Sequence, residues 1–200
     1  MSRLFIVRHG NTFQPGEAPR RIGARTDLPL TATGRTQAEA LGAHFVAQGI
    51  RFSTVLAGAL QRTQQTATLI LGAQCAPPPI ATATFLTEID HGPDENQTED
   101  LVLERIGAEA LASWDRAAVP PAGWNVDPEQ RIAAWRDFAA DADGDILLVT
   151  SNGAARFALL GLVAPELRPT AIKLRTGAYG LITGDSSGRY RLSDWDKRPG

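Results

Sequence analysis

Two guanidinium groups, imidazole and carboxyl groups and several amide and hydroxyl donors fall into three short polar clusters and one helix start. The clusters are Arg8-His9-Gly10-Asn11-Thr12, Glu88-Ile89-Asp90-His91-Gly92 and Thr150-Ser151-Asn152-Gly153, and Arg62 is the helix residue. Arginine pairs with tetrahedral oxyanions through parallel hydrogen bonds, and helix N-termini add backbone donors and a favourable dipole. Brought together, these groups make a phosphate pocket with a nucleophile in it. His9 attacks as neutral imidazole, and the positive charges beside it help to keep it unprotonated. Glu88 is the best available acid for a leaving alcohol. Taken singly, each has a plainer reading: Arg62 as a solvated helix residue, Glu88 as a surface carboxylate, Arg8-His9-Gly10 as a strand end.

The elements that must position these residues follow from periodicity. Arg3 to Arg8 reads as a buried strand ending at His9-Gly10, followed by a polar loop from Asn11 to Pro29. Arg20, Arg21 and Arg25 lie in that loop, and Arg21 and Arg25 are candidates for contact with substrate. Thr31 reads as the N-cap of a helix to about Gln48, with Ala38, Leu41 and Phe45 inward and Gly49 as the stop. A strand from Ser53 to Ala57 leads to a helix from about Ala59 to Leu71, and a third extended run is expected from Ile80 to Ile89. Helices follow over about Glu99 to Trp114 and, capped by Asp127, to about Ala140. Asp145 to Ser151 reads as a central strand and about Ala154 to Leu162 as a helix. Ala178–Thr183 and Arg189–Trp195 read as an antiparallel edge hairpin. The expected fold is a three-layer α/β/α sandwich with a mostly parallel sheet, one domain over 1–200, and a helical insertion at about 92–143. In such sheets ligands bind beyond the carboxyl ends of the strands, where all three clusters lie.

Composition narrows the function classes. The 200 residues carry 20 Lys+Arg against 22 Asp+Glu, which gives no basic excess for a nucleic-acid partner. With one cysteine, Cys75, neither an intrachain disulfide nor a cysteine-based zinc site can form. Apolar runs such as Leu4-Phe5-Ile6-Val7 are too short to span a membrane or to form a signal core. The expectation is a cytoplasmic protein with neither a nucleic-acid nor a membrane partner.

The motifs also carry a resemblance. Arg8-His9-Gly10-Asn11-Thr12, then Asp27-Leu28-Pro29-Leu30-Thr31 with Gly34, Gln37 and Ala38, then Leu60-Gln61-Arg62 with Gln65-Thr66-Ala67 occur in one order. Leu86-Thr87-Glu88-Ile89-Asp90 with Gly92, and Val149-Thr150-Ser151-Asn152-Gly153, continue it to about residue 160. In this the chain resembles the histidine phosphatase superfamily, the phosphoglycerate-mutase-like fold. The resemblance implies that His9 is transiently phosphorylated, that Arg8 and Arg62 hold the phosphoryl group, and that Glu88 serves as acid and then base; Asn11 and Asn152 are further candidates for phosphate binding. It implies no metal and no organic cofactor. Asn152 stands where the family places its second catalytic histidine, and an amide donates hydrogen bonds without carrying charge. The leading expectation is a phosphomonoesterase acting on a small phosphorylated metabolite. Phosphoglycerate-mutase-like transfer is the alternative, as is a phosphate-binding regulatory protein with weak or lost turnover. His91 is a candidate replacement for the missing imidazole, although strand alternation from Glu88 would turn it the opposite way.

Overall fold

The computed structural model describes residues 1–199. Six strands form one sheet in the order β3-β2-β4-β1-β5-β6. They are β1 (Ser2–Arg8), β2 (Thr54–Ala57), β3 (Ile80–Thr82), β4 (Gly144–Thr150), β5 (Tyr179–Gly184) and β6 (Tyr190–Lys197). β1, β2, β3 and β4 run parallel, while β5 and β6 are antiparallel at one edge. The helices are α1 (Ala32–Ala47), α2 (Gln61–Leu71), α3 (Glu99–Ile106), α4 (Ala108–Ala117), α5 (Pro128–Ala140) and α6 (Asn152–Leu162). None is long and apolar enough to cross a membrane among the described residues.

The two faces of the sheet follow from the side-chain period of two. Leu4, Ile6, Ile146 and Leu148 join one core with Trp135, Phe157 and Leu159 from α5 and α6. The intervening Phe5, Val7, Leu147 and Val149 join the other with Leu41, Phe45, Ala67 and Ile70 from α1 and α2. Phe5 packs edge-on against Phe45 and Phe52 at centroid distances of 5.5 and 5.4 Å. Emptying such a site costs about 3–5 kcal/mol for Phe→Ala, so the second core is anchored by this cluster. The sheet is thus covered on both sides, as the sequence pattern predicts.

Three expected elements come out differently. The run expected to stay extended to Ile89 leaves the sheet after Thr82, turns through a single 3-10 turn at Thr84–Leu86, and continues without strand pairing to β2. Its end is held instead by the Thr150 hydroxyl, which donates to the Leu86 carbonyl at 2.6 Å. The helix expected from Glu99 to Trp114 is two helices, because Gly107 takes φ +80, which ends α3 and starts α4 in a new direction. The helix expected from Ala59 starts at Gln61, and Leu60 in the N-cap position provides no side-chain cap. Asp27, from the long loop, fills that role by accepting from the Gln61 N–H at 2.7 Å. The caps Thr31 and Asp127 form as expected, accepting from Gly34 and Gln130.

Candidate active site

Parallel pairing of β1 with β4 in the register Arg8↔Thr150 brings two of the three polar clusters side by side at the strand ends. The turn after β1 is possible because two glycines share one space. A Cβ on Gly10 would sit 2.2 Å from the Gly34 carbonyl oxygen, and one on Gly34 would sit 2.2 Å from that of Asn11. Gly10 N–H donates to the Thr66 hydroxyl, and Asn11 N–H to Gln37 Oε1 at 2.9 Å. The loop is therefore clamped against α1 and α2 by the small and amide residues of the recurring motifs.

A cavity of about 630 Å³ opens beyond these strand ends. Arg8, His9, Asn11, Glu88, Asn152 and Arg21 all line it. His9 is 2% exposed. Its Nδ1 lies 2.8 Å from the Gly10 carbonyl, which can only accept, so Nδ1 carries the proton and Nε2 holds the lone pair. Burial, then the charges of Arg62 and Arg8, hold the His9 pKa well below the ordinary imidazole value, against a smaller opposing effect of the Gly10 bond. The ring is neutral and nucleophilic at neutral pH.

The two guanidinium groups differ. Arg8 donates from Nη1 to the Leu174 carbonyl at 2.7 Å, and its Nε is buried without a partner. Burial brings its pKa down to about 10, still far above neutrality. Arg62 is fully buried, donates to the carbonyls of Thr26 at 2.6 Å and Gly23 at 3.0 Å, and is not on the cavity wall. It stands behind the cavity, where its charge acts on His9. Arg25 is also off the wall, because its guanidinium donates to Asp90 at 3.0 Å and to the Gly92 carbonyl. Arg21 lines the cavity with its guanidinium paired to Glu99.

Glu88 accepts from its neighbour Ile89 N–H at 2.9 Å and from Gly153 N–H at 3.3 Å. Gly153 makes this approach possible, since a Cβ there would lie 2.2 Å from Glu88 Oε1. Asn152, in the first turn of α6, accepts from Leu174 N–H through Oδ1 at 2.8 Å. That bond fixes the carboxamide and leaves its NH₂ as a neutral donor. Asn11 is oriented by the Thr176 hydroxyl, which donates to its Oδ1.

Several wall residues have no signal in the sequence pattern. Lys173, Arg175, Thr176 and Arg198 arrive from the segment before β5 and from beyond β6, and Phe13 and Trp114 add apolar surface. Leu174 matters through its peptide, whose carbonyl holds Arg8 and whose N–H holds Asn152, and backbone contacts leave no mark on residue type. His91 also lines the cavity together with Glu88. The strand alternation that would have separated them does not apply, because residues 87–91 are not in a strand.

The family model described as "Histidine phosphatase superfamily (branch 1)" matches residues 4–195. A relative in Yersinia pestis (strain Pestoides F), named "Probable phosphoglycerate mutase GpmB", is 30% identical over 98% of this chain and 88% of its own length. A "2,3-bisphosphoglycerate-dependent phosphoglycerate mutase" of Rhizobium etli is 32% identical over 126 residues, and the aligned part spans 62% of this chain and 59% of that protein. Among solved structures, the α-ribazole phosphatase of Shigella flexneri superposes with a TM-score of 0.74 at 23% identity, over 98% of this chain and 96% of that one. A mycobacterial glucosyl-3-phosphoglycerate phosphatase superposes with a TM-score of 0.77 at 21% identity, over 97% and 98%.

Proposed function

Because the chain belongs to the histidine phosphatase superfamily, we propose that it is a phosphomonoesterase that hydrolyses a small phosphorylated metabolite through a phosphohistidine at His9. The observation that carries this reading is the tautomer of His9: Nδ1 is committed to the Gly10 carbonyl, so the lone pair of Nε2 is the nucleophile on a wall shared with Glu88. The names of the phosphatases of like fold support a small phosphorylated substrate.

In the first step Nε2 attacks phosphorus, the P–O ester bond breaks, and protonated Glu88 gives its proton to the leaving alcohol oxygen. In the second, water attacks the phosphohistidine, Glu88 takes the proton from that water, and inorganic phosphate leaves with His9 neutral again. Arg8 and the Asn152 and Asn11 carboxamides would hold the phosphoryl oxygens, with Arg62 adding positive potential from behind. This use of fixed charge and dipole is where most of the rate enhancement of such sites originates.

The test is phosphate release across a panel of phosphomonoesters, with His9→Ala as the control and mass spectrometry after rapid quenching. Turnover with an acid-labile phosphoryl group on His9, lost in the control, is expected. Turnover undiminished in His9→Ala, or label on another residue, overturns the reading. The mutase names among the relatives favour one second reading, in which the phosphoryl group returns to another alcohol instead of to water. Product analysis separates the two, since transfer yields a phosphate isomer and little free phosphate.

A further inference from the structure

His91 is 6% exposed and lines the cavity with His9 and Glu88, yet the two-step reaction above assigns it nothing. Its ring stands edge-on to Trp124, with centroids 4.5 Å apart at 87°, so its plane is fixed. Nδ1 is buried without a hydrogen bond and lies 3.6 Å from Glu95 Oε2. Nε2 has no hydrogen-bond partner among the described residues, which leaves it for a ligand.

We propose that His91 is a second imidazole of this site, oriented by Glu95, and that its protonated form donates to the phosphoryl oxygens beside Arg8 and the Asn152 carboxamide. This rests on the phosphoryl-transfer reading of the cavity. A neutral amide at 152 leaves the wall with a donor that carries no charge, whereas an imidazolium adds a charge-assisted bond, roughly twice as strong as a neutral one.

Glu95 is built to hold a charge beside this ring. It accepts from Gly23 N–H at 2.8 Å, Arg25 N–H at 3.2 Å, the Thr26 hydroxyl at 2.6 Å and His91 N–H at 3.3 Å. Burial alone would raise its pKa, but these bonds and His91 bring it down to about 2. The other charges around the ring are mostly spent elsewhere. Asp94 is held by Arg105 and by Trp124 Nε1. Arg25 is on Asp90, and Arg21, which stacks over Trp124, is on Glu99. Arg62 reaches the ring only through Gly23, whose carbonyl it holds, and Glu88 and Asp115 sit elsewhere on the cavity wall. The charge closest to the ring is therefore the Glu95 carboxylate, whose Oε2 faces Nδ1.

The test compares kcat/KM of wild type, His91→Gln and His91→Phe against pH, on the phosphomonoester with the highest His9-dependent turnover. The Phe variant keeps the packing on Trp124. The ratio of wild type to variant is expected to be about tenfold or more at pH 5.5 and to shrink towards pH 8. Ionisation of the substrate cancels in that ratio. The Asn152→His change in a His91→Gln background should restore part of the loss, since it returns an imidazole to the pocket. A folded His91 variant whose ratio is near one, or does not vary with pH, overturns the proposal while leaving the His9 reading intact. If turnover proves independent of His9, that earlier reading falls instead. Should both variants fail to fold, NMR titration of His91 in wild type with and without inorganic phosphate decides. Phosphate should raise the pH at which the ring loses its proton, and an unmoved titration overturns the assignment.

Discussion

The floor and the rim of the cavity both carry arginines, and they are held in opposite ways. On the floor Arg8, and just behind it Arg62, donate to the neutral carbonyls of Leu174, Thr26 and Gly23. At the rim, Arg21 pairs with Glu99, Arg175 with Asp196, and just outside the wall Arg25 pairs with Asp90. A carbonyl fixes a guanidinium without cancelling its charge, whereas a carboxylate fixes it and cancels most of it. The floor is therefore a preorganised field for an incoming anion, and the rim is a scaffold of exposed ion pairs worth little individually. Burial first, and then the positive charge of Arg62 and Arg8, keeps His9 neutral, so the charges that suit an anion also suit the nucleophile.

If that contrast is right, damage to the floor should dominate. Gly153→Ala is the sharpest probe, because the added methyl displaces the Glu88 carboxylate without removing any charged group. Displacing a general acid forfeits its contribution, typically 10²–10⁴-fold, so kcat is expected to fall by about that factor with little change in melting temperature. An Arg62→Leu change should also lower kcat strongly, and in addition raise the pKa of His9 by removing a repelling charge. The acid limb of the pH–rate profile would then move upward. A Gly153→Ala enzyme with wild-type kcat would mean that Glu88 is not in its working position.

The floor is also the part that could be read from sequence, and the rim is not. Continuous apolar runs ending in polar clusters located β1, β4 and their ends, and parallel pairing did the rest. Arg8, His9 and Asn152 were legible because a strand end and a reaction type constrain them together, and Glu88 through its motif alone, since its strand ends at Thr82. Arg62 was legible as a charge but not as a buried one bound to loop carbonyls, since nothing in Leu60-Gln61-Arg62 shows where residues 23–26 pass. Ile80–Ile89 was misread because β-rich composition says nothing about a chain that leaves the sheet after three paired residues. The error carried over to His91, whose side was argued from an alternation that the backbone does not keep. The wall from Lys173 to Thr176 has no pattern to read, and its strongest contribution is the peptide of Leu174.

Asn152 tests the floor from its neutral side. Its Oδ1 is tied to Leu174 N–H, so its NH₂ is the only part left for a phosphoryl oxygen. Asn152→Ala should lower kcat/KM by about 10²–10³, the loss of one transition-state donor. Asn152→Asp keeps the acceptor for Leu174 but replaces the donor with a negative charge, and should do worse than alanine although it packs better. If Asn152→Asp equals wild type, the carboxamide does not face the phosphoryl group.

At the rim the expected effects are smaller, and their pattern is more telling than their size. Arg21 and Arg25 sit four residues apart in one loop, and both are paired with carboxylates, but only Arg21 lines the cavity. Breaking an exposed pair costs about 0.2–1 kcal/mol. Arg25→Met should thus leave kcat and KM within about twofold and lower stability slightly, because Arg25 ties the Gly23–Asp27 loop to Asp90 and Gly92. Arg21→Met removes a cation from the cavity mouth and frees Glu99, a negative charge on the same wall. Electrostatic attraction of an anionic substrate should weaken, so KM rises several-fold while kcat holds, and the increase shrinks as salt screens the field. That split between KM and kcat separates rim from floor. A comparable fall in kcat for Arg21→Met would place it with the floor residues. A rise in KM for Arg25→Met equal to that for Arg21→Met would show that the effect travels through loop order, since only one of the two side chains faces the substrate.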